Sequence, residues 1–143
     1  MTRSRARLGA LGGLVAVVVV LGAAAAALAG GREEPPSTSI EIVIHHSKFE
    51  PSSIAVPVGV PVTITLRNDD PIDHEWIVGD ASVHAVHRVG TEPLHPDRPT
   101  EVVIPAMESR TTTVTFEAAG TLAFICHLPA HEAYGMVGTV TIR

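Results

Sequence analysis

A chain of 143 residues has the length of one domain, and its hydrophobic content of 45% includes only 3% aromatic residues, so Val, Ile, Leu and Ala must build any core. The formal net charge is −5, with ten Lys+Arg against fifteen Asp+Glu and no clustered basic stretch, which argues against nucleic acid as a partner. The single cysteine excludes an internal disulfide, so its thiol is free for other chemistry.

Arg3, Arg5 and Arg7 precede an uncharged apolar run from Leu8 to Ala29, the pattern of an export signal. Two readings of residues 1–29 compete. Ala27-Leu28-Ala29 fits a small-x-small cleavage site, which would release a soluble protein. The run is also close to the roughly 20 apolar residues that span a bilayer, which would leave the chain anchored through residues 8–29. A helix is expected there in either case, and either places the domain outside the cytoplasmic membrane, periplasmic or extracytoplasmic. Without residues 1–29, seven Lys+Arg face fifteen Asp+Glu, a net charge of −8.

Residues 30–39 are small, polar and Pro-containing, and read as a linker. From Ile40 the pattern changes to period two: Ile40, Ile42 and Ile44 share one face, as do Val62, Ile64 and Leu66. Further short runs rich in Val, Ile and Thr follow at 101–104, 111–116, 121–126 and 137–142. Several such strands at this spacing predict an all-β fold, an antiparallel sandwich or barrel, over residues 40–143. The polar segment from Gly79 to Pro99 breaks the pattern and is expected to be a loop with one short helix near Ala81 to Arg88.

The most informative stretch runs from Phe124 to Gly138 and presents Cys126, His131 and Met136 at five-residue intervals. Cu(I) prefers soft sulfur and Cu(II) prefers nitrogen. A trigonal His2Cys site with a weak axial Met compromises between them, so little needs to move when an electron arrives. A second imidazole must come from another strand. His74 is the best candidate, because it follows the Val62 to Leu66 strand and opens the next.

With those residues the chain resembles the cupredoxins, the plastocyanin- and azurin-like blue-copper proteins, over roughly residues 40–143. The segments Lys48 to Val56 and Gly59 to Asn68 look like the family's opening strands, and the Cys-x4-His-x4-Met spacing is most similar to rusticyanin. The resemblance implies a Greek-key sandwich, one copper ion held by His74, Cys126, His131 and Met136, and outer-sphere electron transfer rather than enzymatic catalysis. It implies redox proteins as partners, such as cytochromes or a terminal oxidase, met through His131 and the mostly apolar Leu128, Pro129, Ala130, Ala133 and Tyr134. Glu75 departs from the family pattern, which has Asn or Ser after the first His in many members. An anionic side chain there would favour Cu(II) and lower the potential unless it points to solvent.

Plainer readings stand beside each of these. A lone buried Cys is usually inert packing, and a Gly-Met at a strand start is usually core. Their joint occurrence with His131 and His74 favours a metal site. His127 is expected to face away from Cys126 and to be a surface or interface histidine. His45 and His46 read as structural. His84 and His87, three apart, would share a helix face and with His95 offer a second metal site, although such histidines are usually solvated. Cys126-His127 also resembles the last copper motif of multicopper oxidases, but Ile125 stands where a cluster histidine is needed and the chain has no His-x-His pair. A copper carrier or buffer without a redox cycle is the other alternative. Met-rich runs would favour it, and with three Met in all there are none.

Overall fold

The computed structural model describes residues 38–90, 95 and 97–143. The expected signal or anchor helix therefore lies outside the described residues, and so does most of the linker. Two sheets pack face to face. One has the order β2(Lys48–Glu50), β1(Thr38–His45), β4(Pro61–Asn68), β7(Ser109–Thr115). The other has the order β3(Ser53–Val56), β9(Val137–Ile142), β8(Gly120–Ile125), β5(His74–Gly79), β6(Glu101–Ile104). The described residues are mostly β and form a two-sheet sandwich, but the antiparallel expectation is corrected: β1 runs parallel to β4 and β3 parallel to β9, because long connections bring these strands side by side in the same direction.

Side-chain alternation explains the layers. Ile42 and Ile44 of β1 and Val62, Ile64 and Leu66 of β4 are fully buried, and meet Trp76, Phe124 and Val140 from the other sheet. Each such aliphatic side chain contributes about 1.5–3 kcal/mol on burial, so a chain without disulfides is held by this layer. β1 begins at Thr38, two residues before the Ile40 alternation, because Thr38 and Ser39 pair in parallel with Val62 and Thr63. The Lys48 to Val56 segment divides at Pro51-Ser52 into two strands of different sheets, β2 against β1 and β3 against β9.

Among the described residues there is one helix, α1(Ala81–Arg88), and it lies where the sequence places it. The Asp80 carboxylate caps it, accepting from the Ser82 N–H at 2.8 Å and the Val83 N–H at 3.1 Å. It packs tightly against the strand before it, since a Cβ on Gly79 would lie 2.5 Å from the Val83 Cβ. His84 and His87 are its buried residues.

Candidate metal centre

His74 opens β5 and is fully buried, and Trp76, two residues on, shares its inward face. On the neighbouring strand Phe124 precedes Cys126 by two and faces inward with it, its ring lying against Gly138, where a Cβ would come within 2.2 Å. Trp76 and Phe124, both fully buried, thus form a largely apolar floor beneath the ends of β5 and β8, their ring centroids 6.2 Å apart.

Between β8 and β9 the chain makes a closed loop. The Cys126 N–H donates to the Met136 carbonyl at 3.2 Å, and the Met136 N–H donates to the His131 carbonyl at 3.0 Å. The His131 N–H reaches the Leu128 carbonyl, and the Tyr134 N–H the Ala130 carbonyl, both at 3.0 Å. Ala130 (φ 70°) and Gly135 (φ 85°) supply the left-handed backbone that such a tight return requires. Cys126 and Met136 are thereby both buried and inward-facing at the loop's two ends, and His131 lies between them, partly exposed.

His74 meets this loop. Its Nδ1 is 3.2 Å from the His131 Nδ1, and the Cys126 Sγ is 3.2 Å from the same His131 atom. The ligand atoms of His74, Cys126 and His131 all lie within 4.8 Å of one another, and Met136 completes a cluster that fits one type 1 copper ion. The structure thus brings together all four residues singled out in the sequence.

The donor set is prepared for a metal. His74 Nε2 faces the Asp70 Oδ2 at 3.0 Å, so the ring carries its proton there and turns a bare Nδ1 lone pair toward the site. Asp70 is itself held by the N–H groups of His46 (2.7 Å) and Ser47 (2.8 Å). Burial pushes the Asp70 carboxyl up, but those two N–H groups and His74 outweigh it and hold the pKa below the usual range. The Asn68 side chain accepts from the Asp70 N–H at 2.9 Å and donates to the carbonyls of Ile72, Ile104 and Pro105, pinning the β4–β5 turn. Burial lowers the His74 pKa despite Asp70, which keeps the ring neutral and available to a cation. Sequence reasoning gave Asp70 and Asn68 no role. The available signal was two short polar side chains ending a strand just before a candidate ligand.

Burial pushes the Cys126 thiol up to about 11. The Glu75 N–H, donating to Sγ at 3.3 Å, works against this, as does the Leu128 N–H. Glu75 therefore steadies the cysteine sulfur through its backbone rather than its side chain. Its side chain lies on the opposite face of β5 from His74, half-buried, where burial raises its pKa and the His127 N–H lowers it. It points neither into the His74–Cys126–His131 cluster nor freely into water.

His127 does face away from Cys126, but it is not a surface histidine. Its side chain is 3% exposed, because α1 covers the outer face of β5 and β8 and buries it beside His84 and His87. Burial, and then His84, pull its pKa down to about 4. His84 and His87 are likewise buried rather than solvated. His95 is directed elsewhere, to the Glu101 carboxylate at 2.9 Å. His45 and His46 are exposed and stack on one another at 3.8 Å between centroids.

A two-sheet sandwich with a His-Cys-His-Met cluster at one end, buried except for His131, defines a small type 1 copper protein. The family profile described as "Cupredoxin-like domain" matches residues 13–142, and the chain belongs to the cupredoxins. It is 29% identical over 140 residues to the Copper-resistant cuproprotein CopI of Pseudomonas aeruginosa, an alignment covering 75% of this chain and 77% of that protein. It is 29% identical over 109 residues to Auracyanin-B of Chloroflexus aurantiacus, covering 66% of this chain and 46% of that one. Among solved structures, dithionite-reduced auracyanin from Roseiflexus castenholzii superposes with a TM-score of 0.63 at 29% identity, covering 74% of this chain and 97% of that chain. These relatives are small cupredoxins, not enzymes.

Proposed function

We propose that this protein is a one-electron carrier working outside the cytoplasmic membrane, with His74, Cys126, His131 and Met136 as the ligands of its copper. The observation that carries the reading is the prepared donor set: Asp70 fixes the His74 tautomer, the Glu75 N–H steadies the Cys126 sulfur, and the loop is closed by its own backbone hydrogen bonds. A rigid site over an apolar floor needs little rearrangement when the charge on the metal changes. Copper, when bound, supplies the Cu(I)/Cu(II) couple. His74 and His131 provide imidazole nitrogen, Cys126 the thiolate, and Met136 a weaker thioether.

Electrons would pass through His131, the one partly exposed member of the set. It shares a shallow, mostly apolar groove with Pro71, Ile72, Asp73, Ala106, Leu128 and Pro129. An apolar rim of this kind suits brief docking by a redox protein such as a cytochrome or a terminal oxidase. Export through residues 1–29, cleaved or retained as an anchor, belongs to the same proposal.

A second reading, a copper carrier or buffer without redox turnover, is favoured by the CopI relative, whose name denotes copper resistance. Electron self-exchange of the copper-loaded protein, followed by NMR line broadening in mixtures of Cu(I) and Cu(II) forms, separates the two. A carrier exchanges rapidly and has a reversible potential. Slow exchange with irreversible reduction would favour the buffer.

A further inference from the structure

The outer face of β5 and β8, beneath α1, carries a second group of imidazoles that the type 1 site does not use. His84 Nε2 lies 3.2 Å from the Gly79 carbonyl and 3.3 Å from the Ala123 carbonyl. Both are acceptors, so the proton of His84 sits on Nε2, and Nδ1 is a bare lone pair. That Nδ1 points at the His127 Nε2, 3.0 Å away. On its other side the His127 Nδ1 faces the Glu132 Oε2 at 3.6 Å, a carboxylate already held by Arg88. A proton on His127 Nδ1 suits that carboxylate, but it leaves two lone pairs opposed across 3.0 Å. A proton on Nε2 relieves the opposition but turns a bare nitrogen toward the carboxylate. Neither neutral tautomer satisfies both ends, and His127 Nδ1 is indeed buried without a hydrogen-bond partner.

The same conflict recurs one ring away. The His87 Nδ1 donates to the Val83 carbonyl at 2.9 Å, which makes Nε2 a lone pair. That Nε2 is also buried and unpartnered, 3.8 Å from the Glu101 Oε2. The His87 ring lies over the His127 ring, centroids 5.7 Å apart and planes 26° apart. With the N–H groups of His84 and His87 committed to backbone carbonyls, the bare nitrogens of these buried imidazoles are arranged for a cation.

We propose that His84 Nδ1 and His127 Nε2 are the ligands of a second metal ion, copper or zinc by their chemistry, with His87 beside them as a reserve donor. A metal between the two rings removes the lone-pair opposition and lets His127 keep its proton on Nδ1. Glu132 and the carbonyls of Gly79 and Ala123 are then the outer acceptors that orient the ligating rings, as Asp70 does for His74. Imidazole suits both metals. Zn(II) demands four donors in a closed site, whereas the pair presents two, so the site favours Cu(I), which accepts low coordination. The peptide bond joining Cys126 to His127 links this site directly to the first.

Anaerobic titration of the full chain with Cu(I), against a coloured Cu(I) chelator, counts the ions that the protein withholds. Two are expected for the wild type and one for His84→Phe, and the zinc arm, run on protein loaded with a single equivalent of copper so that the second site stays empty, is expected to show far weaker binding. The visible band of the oxidised type 1 centre reports in the same samples that the variant is folded and that the first site is intact. One ion withheld by both proteins would reduce the His84–His127 contact to a hydrogen bond. A second ion still held by His84→Phe would assign it to another place, such as His45 and His46. Zinc binding as tightly as copper would overturn the Cu(I) assignment. Should His84→Phe not fold, imidazole 15N spectra of the wild type give the answer. The second equivalent must move the resonances of His84 and His127, and unmoved resonances would refute the site.

Discussion

Asp70→Asn tests how the protein prepares its first imidazole. Asp70 Oδ2 takes the Ser47 N–H at 2.8 Å and faces His74 Nε2 at 3.0 Å, while Oδ1 takes the His46 N–H at 2.7 Å. An asparagine retains one oxygen. If its amide nitrogen replaces Oδ2, it confronts two donors; if it replaces Oδ1, it confronts one. A hydrogen bond to a charged group contributes about 1.5–3 kcal/mol, so the less costly orientation still loses about 1.5–3 kcal/mol. Because the Asp70 pKa is held below that of the unfolded chain, its contribution is fully present above the unfolded value and is lost as pH falls through the folded one. The stability difference between wild type and Asp70→Asn in urea should therefore be constant near neutrality and shrink in acid. Copper affinity should fall about 10–100-fold, the usual effect of removing a group that orients a ligating histidine. Equal stability at neutral pH, or unchanged copper affinity, would refute the role given to Asp70.

Other consequences follow from the same contacts. With the metal-free Cys126 thiol pushed up to about 11 and His74 held neutral, copper must displace one proton. Apparent affinity should then rise about tenfold per pH unit from about pH 6 to about pH 9, and a flat profile in competition titrations would mean that the thiolate already exists without metal. Met136→Leu should keep the colour and raise the potential in voltammetry, as expected of a weak axial ligand; a lost blue centre would make Met136 a strong ligand or a structural residue. Gly79→Ala forces a Cβ to 2.5 Å from Val83 and should cost about 1–3 kcal/mol in urea unfolding while leaving the blue centre in place. An unaffected midpoint would mean that α1 shifts freely on the sheet.

The local patterns of the chain were readable where one element decides the outcome. Alternation placed Ile42, Ile44, Val62, Ile64 and Leu66 in the core, and the break in that alternation located α1 at Ala81–Arg88. Spacing alone grouped Cys126, His131 and Met136, since a short closed loop carries all three. Partner choice between distant strands was not readable. Nothing in Thr38 to Ile44 announces a parallel partner at Val62 to Asn68, nor in Ser53 to Val56 one at Thr139 to Ile142. His127 shows the limit most clearly. Alternation correctly turned it away from Cys126, but whether that face meets water depends on where α1 docks. The helix buries it against His84 instead. Asp70 was missed for a related reason: its three partners come from the β1–β2 turn and from β5, and only the fold brings these together.

The visible spectrum of the Cu(II)-loaded chain, beside that of Cys126→Ser, tests the type 1 assignment most directly. A thiolate bonded to Cu(II) in a trigonal site gives an intense band toward the red end of the spectrum. One equivalent of copper should produce that band in the wild type, saturate it, and produce no such band in Cys126→Ser. A colourless copper adduct, or a band that survives Cys126→Ser, would contradict a copper centre built on His74, Cys126, His131 and Met136.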